Sequence, residues 1–290
     1  MRDGRPSRRD FLPAAVVLGA MHLPRFGAEA SEEFRFGLTP VCLTSDLELL
    51  ARLKSYLEHA LGQPVRLVTR RTYQEITALL ISGQLEAAWI CGFPLVAART
   101  RLALGPVPVW RGKPLYRSYL IAAPDRAADR LADLAGDIHA FSDPDSNSGW
   151  LVTAAELAAS GRTPDRFFRR TFFTWGHRNV VRAVASGLAD SGSVDGYVYE
   201  VMRETEPSLI GRTRVVRASE WLPFPPVAFA ASADRSAMAA RVRSALTGMS
   251  GDADGRAVLC LLRLDGFRLD DMSLYDPIAA KVAAVRGVPG

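Results

Sequence analysis

Apolar residues recur along this chain with two alternating periods, and the alternation predicts its architecture. From Phe34 onward, short apolar runs typical of buried strands alternate with segments in which apolar residues have helical spacing. The predicted order is strand, helix, strand, helix, strand up to about residue 110, and the same order returns after residue 117. Such an order predicts an α/β protein of two domains, each a mostly parallel sheet flanked by helices.

The connections between the two patterns predict how the domains are joined. Residues 116–122 form an apolar strand that we expect to cross into the second domain, and the proline-rich stretch at 223–226 marks the return. Two crossing strands therefore join the domains, and the second is inserted into the first. The predicted segments are a leader at 1–30, the first lobe at 31–116, the inserted second lobe at 117–222 and the rest of the first lobe at 223–290.

Three local predictions are specific enough to test. Ser45 is expected to cap the first long helix. Residues 128–134 are expected to be helical, and the apolar run at 104–109 is expected to form a strand.

The first thirty residues resemble an export signal. Arg8 and Arg9 lie in a twin-arginine motif, an apolar run follows at 13–23, and Ala28-Glu29-Ala30 is an A-x-A cleavage site. The apolar run is shorter than the roughly 20 residues that a membrane span needs. We therefore expect export to a bacterial periplasm by the twin-arginine route; the alternative is a basic, disordered leader on a cytoplasmic protein.

Charge and cysteine content narrow the function class. Removing residues 1–30 removes five basic and three acidic residues, so the formal net charge falls from +5 to +3. This mild excess attracts a small anion but does not indicate a nucleic-acid partner. The three cysteines, Cys42, Cys91 and Cys260, lack metal-ligand spacing and do not suggest a disulfide framework. Whether a single disulfide forms is left open by the sequence.

The most informative local pattern is the polar turn that follows the apolar run at 138–141. Asp143-Pro144 breaks the strand, and an apolar run with helical spacing begins at Leu151. Small polar residues and a glycine lie between them: Ser146, Asn147, Ser148 and Gly149. A strand, a polar turn and a helix start can seat an anion on unpaired amides. The alternative is a plain helix-capping loop, since the lysine of a P-loop is missing.

Residues 143–149 resemble the D-P-x-S-x-S-G signature of the phosphonate-, phosphite- and phosphate-binding proteins of ABC transporters. The resemblance extends from about Phe34 to Phe267. It implies the type II periplasmic binding fold, with a cleft between the lobes, and it implies that the serine-rich turn grips a phosphorus oxyanion.

The same resemblance assigns further ligand contacts. His177 matches a family histidine that contacts the phosphonate oxygens, and Tyr73 matches a tyrosine that binds the oxyanion from the opposite domain. From the residues alone, His177 would be a surface capping residue and Tyr73 an exposed first residue of a helix. Arg178 stands where aminophosphonate binders have glutamate, which favours a smaller or more acidic anion.

Two further positions have weaker support. Asp195 follows a strand and is expected to contact a cationic part of a ligand or a water, or to cap the next helix. Cys91 and the residues after it fall where the family often has an aromatic-glycine turn that lines the cleft.

Catalysis is not expected. The chain has no G-x-S-x-G elbow and no evident third residue to orient His177. Its few histidines do not suggest a metal cluster, and no cofactor is expected. The predicted function is capture of a phosphorus oxyanion for an ABC importer, with its permease as partner. The alternative is a sensing protein of the same fold that signals to a sensor kinase or chemoreceptor.

Overall fold

A computed structural model describes Met1, residues 33–39 and residues 46–287 of the chain. The strands are β1 (Phe34–Leu38), β2 (Val65–Thr69), β3 (Ala87–Trp89), β4 (Leu102–Leu104), β5 (Val107–Val109), β6 (Leu115–Tyr116), β7 (Ser118–Ala122), β8 (Ile138–Phe141), β9 (Arg170–Phe173), β10 (Ser191–Asp195), β11 (Arg214–Ala218), β12 (Leu222–Pro223), β13 (Val227–Ala230) and β14 (Gly266–Arg268). The helices are α1 (Leu47–Leu61), α2 (Tyr73–Ile81), α3 (Gly92–Ala97), α4 (Val152–Ala158), α5 (Pro164–Phe167), α6 (His177–Ala185), α7 (Gly196–Thr205), α8 (Pro207–Ile210), α9 (Ala237–Gly248), α10 (Ala253–Leu262) and α11 (Asp276–Arg286). The leader, Ser45 and Cys42 lie outside the described residues.

Within the described residues, the strands form two five-stranded sheets and two short ribbons. The first sheet has the order β2-β1-β3-β13-β4, and the second has the order β11-β7-β10-β8-β9. In the first sheet β1 is parallel to both neighbours, while β13 is antiparallel to β3 and β4. In the second sheet β8 is parallel to β9 and β10, while β7 is antiparallel to β10 and β11. Each sheet is thus mostly parallel, with a single reversed strand, as predicted.

The reversed strands are those that follow the passages between the sheets. A two-stranded ribbon lies at these passages, where Tyr116 of β6 pairs with Leu222 of β12 in antiparallel fashion. β7 begins two residues after Tyr116, and β13 begins four residues after Pro223. We call the first sheet with α1–α3 and α9–α11 the first lobe, and the second sheet with α4–α8 the second lobe. The exact lobe limits predicted from the sequence stay a prediction.

The local predictions had mixed outcomes. Asp46 caps α1, since its side chain accepts from the Leu49 amide at 3.0 Å, so the cap lies one residue after the predicted Ser45. The helix predicted at 128–134 is wrong, because the structure has only a 3₁₀ turn at Leu131–Leu134. The run at 104–109 is split between β4 and β5, in different sheets, because Pro106 has no amide hydrogen to continue a ladder.

Buried aromatic residues hold the first lobe together, and their polar groups are paired. The Tyr56 hydroxyl donates to the Ala245 carbonyl at 2.6 Å, and the Tyr275 hydroxyl donates to the Phe224 carbonyl at 2.7 Å. Each of these side chains is almost fully buried. Burying an aromatic ring with its hydroxyl satisfied stabilises the packing without an orphaned polar group. No helix in the described part of the chain is long and apolar enough to cross a membrane.

Candidate functional site

The polar turn after β8 is buried and closed on itself. Ser146, Asn147 and Ser148 are each at most 1% exposed. The Ser146 hydroxyl accepts from the Gly149 amide at 3.0 Å, and the segment Asn147–Leu151 forms one π-helical turn before α4 begins. The sequence predicted a helix start but not this wider turn. Single π-helical turns are frequent at functional sites.

Gly149 is required by the packing of the turn. A Cβ at this position would lie 1.8 Å from Ser142 Oγ and 3.0 Å from His177 Cε1. Real Cβ atoms do not approach other atoms so closely, so even alanine would displace the turn from Ser142 and His177. The neighbouring protein atoms therefore already require a glycine at this position.

His177 begins α6 and is almost fully buried. Trp175, two residues before His177, has a φ of 60°, an unusual conformation for a residue other than glycine. The guanidinium of Arg71, in the first lobe, lies 5.3 Å from the centre of the Trp175 ring. Burial lowers the pKa of His177 to about 3, so the imidazole is neutral at physiological pH. The alternative of a surface capping histidine is therefore wrong.

The hydrogen bonds of His177 determine which ring nitrogen carries the proton. Its Nδ1 accepts from the Asp195 amide at 3.0 Å. A neutral imidazole has one protonated nitrogen, so Nε2 carries the hydrogen and donates to the Tyr73 hydroxyl oxygen, 3.1 Å away. The Tyr73 hydroxyl then keeps its own hydrogen to donate.

Tyr73 approaches from the first lobe. It is the first residue of α2, it is fully buried, and burial raises its pKa well above the usual range, so the hydroxyl stays neutral. Thr72 and Glu75 form the predicted capping box around the same helix start. The alternative of an exposed tyrosine is wrong, and the structure brings Tyr73 and His177 together from opposite lobes.

Further contacts join the lobes around this pair. Asn147 donates from its side-chain nitrogen to the Tyr116 hydroxyl at 2.9 Å and from its backbone amide to Cys91 Sγ at 3.2 Å. The Tyr73 amide donates to Asp143 Oδ2 at 3.2 Å. We call this surface the interlobe cleft; it is formed by Tyr73, Cys91 and Tyr116 on one side and by Asp143, Asn147 and His177 on the other.

Two members of the cleft were not predicted as ligand contacts. Asp143 was expected to break the strand and to begin the signature at 143–149, and Tyr116 was expected only to begin the crossing strand. Cys91 was expected to line the cleft, and the structure places its sulfur there. Tyr116 could have been recognised from its position at the passage between lobes, where a buried hydroxyl needs a partner.

Asp195 caps α7, as one of the two sequence readings predicted. Its Oδ1 accepts from the Val198 amide at 3.1 Å, and the Ser148 hydroxyl also donates to its carboxylate. Burial raises the pKa of Asp195 to about 7, although these hydrogen bonds act in the opposite direction. A buried acid of this kind takes up a proton near neutral pH.

Arg178 lies next to His177 in sequence but is engaged by another group. Its Nε is 2.7 Å from Glu206 Oε1 at the start of α8. An arginine matched to a carboxylate is less available to a ligand anion, so the predicted ligand contact of Arg178 receives no support from this geometry. Among the described residues, no group of three or more histidine, cysteine, aspartate and glutamate side chains could hold a metal ion.

The site therefore consists of neutral donors and buried acids with raised pKa values at the meeting surface of two lobes. The imidazole of His177 and the hydroxyls of Tyr73, Ser146 and Ser148 are uncharged groups that hydrogen-bond without a counter-charge. Together with two mixed sheets joined by a ribbon, they define a two-lobed binding protein. Residues 36–275 match the sequence model of the family described as ABC transporter, phosphonate, periplasmic substrate-binding protein, and the chain belongs to this family.

Relatives support the same family and fold. The phosphate-import protein PhnD of Mycolicibacterium smegmatis is 30% identical over 179 residues, which are 57% of this chain and 56% of that protein. The match thus spans little more than half of that relative. A binding protein component of an ABC phosphonate transporter from Pseudomonas aeruginosa has a TM-score of 0.80 at 21% identity, covering 88% of this chain and 86% of that one. PhnD1 of Prochlorococcus marinus, solved with methylphosphonate, has a TM-score of 0.78 at 14% identity, covering 88% and 98%.

Proposed function

We propose that this protein captures a phosphorus oxyanion in the interlobe cleft and presents it to an ABC importer. The observation that carries the proposal is the meeting of His177 and Tyr73 across the cleft, beside the buried turn at 146–149. Each lobe contributes a donor, so an anion held by both stabilises the closed arrangement. The relatives named for phosphate import and solved with methylphosphonate support the ligand class.

The donor chemistry fits a tetrahedral oxyanion. The Tyr73 hydroxyl retains a hydrogen for a ligand. In this structure His177 Nε2–H donates to Tyr73 and the Ser148 hydroxyl donates to Asp195, and an anion would take the place of these acceptors. Charge-assisted hydrogen bonds from neutral donors to an anion are stronger than bonds between neutral groups. The proposed ligand contacts are therefore Tyr73, Ser146, Asn147, Ser148, Gly149 and His177. Asp195 would take a proton-bearing or cationic part of the ligand, and Arg178 remains a prediction without geometric support.

A binding role fits the geometry better than a catalytic one. In a serine hydrolase, a carboxylate accepts from Nδ1 of the histidine, so that Nε2 can take a proton from the nucleophile. Here Nδ1 of His177 itself accepts from a backbone amide, and Nε2 carries the hydrogen. The imidazole is thus arranged to donate a hydrogen bond and not to act as a general base. We propose that the protein is not an enzyme.

The partner and compartment follow from the family. A periplasmic substrate-binding protein of an ABC transporter delivers its ligand to a permease, which we propose as the partner. We further propose that residues 1–30 direct export by the twin-arginine route. The sensing alternative needs the same fold and cleft but a kinase as partner; permease and ATPase genes beside this one would favour transport.

Calorimetric titration tests the proposal. The purified protein is unfolded and refolded to remove any ligand carried through purification, and it is then titrated with phosphate, phosphite, methylphosphonate, 2-aminoethylphosphonate, sulfate and a dicarboxylate. We expect tight binding only among the phosphorus oxyanions, and the preferred one is the ligand. Preference for sulfate or the dicarboxylate, or no binding to any of the six, would contradict the proposal.

A further inference from the structure

Asp143 connects the two lobes through a buried carboxylate. It is only 2% exposed, and its two oxygens have different partners. Oδ1 accepts from the Asp145 amide at 2.8 Å, within the same turn. Oδ2 accepts from the Tyr73 amide at 3.2 Å, on the opposite lobe and 70 residues away. One oxygen thus fixes the carboxylate to the second lobe, and the other contacts the first.

The position of this contact on α2 is favourable for a carboxylate. Tyr73 is the first residue of α2, where backbone amides have no partner inside the helix and the helix dipole favours negative charge. Within its own lobe α2 is already capped, because Thr72 and Glu75 form a complete capping box. The helix therefore does not need Asp143 in order to form, and the contact acts on the arrangement of the lobes.

A buried acid is not expected in a cleft that is proposed to bind an anion. Burial raises the pKa of Asp143, which means that its ionised form is kept there at a cost. A carboxylate also repels an anion bound nearby. The hydrogen bond that its carboxylate accepts from the opposite lobe compensates for this cost. That bond exists only when Tyr73 and the turn are next to each other.

We propose that Asp143 is a positioning residue for binding: its carboxylate docks on the start of α2 when the lobes close and holds the Tyr73 hydroxyl against His177. The link to affinity rests on the proposed function; the contact itself does not. Asp143 need not touch the ligand, since it acts through the backbone of Tyr73.

Asp143→Asn separates this role from the local turn. Asparagine has one acceptor oxygen, and the nearby Asp145 amide can keep it, so the Tyr73 amide loses its partner while the turn remains. Asp145→Asn is the matched control, because it removes an equal charge from the same turn and leaves the backbone amide that donates to Asp143 in place.

The first measurement is hydrogen exchange of the Tyr73 amide without added ligand, which does not depend on the proposed function. We expect it to exchange faster in Asp143→Asn than in the unaltered protein and in Asp145→Asn. Equal rates in all three proteins would overturn the inference. If Asp143→Asn fails to fold, exchange of the Tyr73 amide is measured in the unaltered protein alone. Exchange as fast as that of an unprotected amide would then overturn the inference.

The second measurement is the affinity for the tightest-binding anion of the panel. Loss of the docking contact lowers the closed population, so we expect Asp143→Asn to bind about fivefold or more weakly, and Asp145→Asn to stay within about twofold of the unaltered protein. Equal or tighter binding by Asp143→Asn would show that the carboxylate only repels the ligand. Absence of binding by the unaltered protein would instead refute the proposed function. The contact between Asp143 and Tyr73 would then be tested by hydrogen exchange alone.

Discussion

The second lobe contains two buried histidines that differ in one respect. His139 and His177 are each at most 1% exposed, and burial lowers the pKa of both to about 3. His139 is enclosed by its own lobe: its ring nitrogens lie 2.8 Å from the hydroxyls of Ser191 and Ser193, and its ring stacks on Phe168 at 4.1 Å. His177 has one partner in its own lobe and one, Tyr73, in the other.

The difference distinguishes the proposed binding residue, His177, from a core residue. Burial and a lowered pKa are common to both histidines, so neither property marks the site. His139 satisfies the hydroxyl groups of the strand next to it, which is a contribution to stability. His177 donates its remaining hydrogen across the interlobe cleft, to Tyr73. We therefore expect changes around His139 to affect stability and changes around His177 to affect affinity.

The largest effect on affinity is expected at Gly149, with Gly192 beside His139 as its control. In Gly149→Ala the new Cβ would overlap Ser142 Oγ beside His177, and we expect affinity to fall by about 100-fold because the turn is displaced. Gly192 lies between Ser191 and Ser193, next to His139, and its added Cβ would lie 2.5 Å from Val180 Cγ1. Gly192→Ala should lower the free energy of unfolding by about 1–3 kcal/mol and leave affinity within about threefold. Titration calorimetry and urea unfolding measure the two quantities.

The histidines themselves give the direct test. His177→Ala removes the proposed hydrogen bond to an anion, and we expect a loss of about 1–3 kcal/mol in binding free energy. His139→Ala leaves a cavity and removes a partner from the hydroxyls of Ser191 and Ser193, of which Ser193 keeps Thr153. We expect a loss of about 2–4 kcal/mol in the free energy of unfolding. Affinity in refolded His139→Ala should stay within about threefold of the unaltered protein. If both variants lost affinity equally, the distinction between the two histidines would be wrong.

Asp195, whose amide holds His177, should make stability depend on pH. Its folded pKa of about 7 lies above the ordinary value of 3.8, so its stabilising contribution is complete below that ordinary value and is lost as the pH rises through 7. Asp195→Asn stays neutral and avoids this loss. Relative to the unaltered protein, its free energy of unfolding should rise by about 2 kcal/mol between pH 5 and pH 8.

Asp252→Asn is the control for that experiment. Asp252 also caps a helix, accepting from the Gly255 amide at 2.8 Å, but it is only half-buried. Urea unfolding at pH 5, 6, 7 and 8 should show the relative gain for the Asp195 variant alone. A parallel gain in both variants would assign the effect to capping in general.

The smallest effect is expected from two tyrosine hydroxyls. Tyr73→Phe removes the hydroxyl that accepts from His177 and that is proposed to donate to the ligand, and binding should weaken by about 0.5–1.5 kcal/mol. Tyr199→Phe removes a buried hydroxyl that lies 3.0 Å from Thr213 Oγ1 within the second lobe, and its affinity should not change. Calorimetric titration of both variants measures the difference; an equal loss in the two would mean that the Tyr73 hydroxyl does not contact the ligand.

Much of the fold was predictable because it depends on local pattern. The strand that ends at Phe141, the capping box at Thr72 and the order of strands and helices all follow from periodicity and helix-start signals. The short helix predicted at 128–134 was wrong because a few apolar residues at helical spacing also suit a 3₁₀ turn packed on a core.

The site was predictable only in part. Resemblance nominated His177 and Tyr73, and the structure places them in contact, while their role toward a ligand stays a prediction. The bond from Tyr73 to Asp143 and the bond from Asn147 to Tyr116 connect residues 70 and 31 positions apart. Such pairings depend on how two lobes meet, which no local pattern encodes. The ion pair of Arg178 with Glu206 lies within the second lobe, and it was missed because it depends on how α6 packs against the start of α8.

The ribbon of β6 and β12 has a consequence for engineering. The chain leaves the first lobe at Tyr116 and returns at Leu222, and these residues pair directly. Both junctions of the intervening segment therefore lie side by side, as in domains that tolerate insertion into another. Grafting residues 117–221 onto the first lobe of another family member would yield a chimera in which the turn and His177 come from one parent and Tyr73 from the other. The ligand preference of such chimeras would assign selectivity to one half of the molecule.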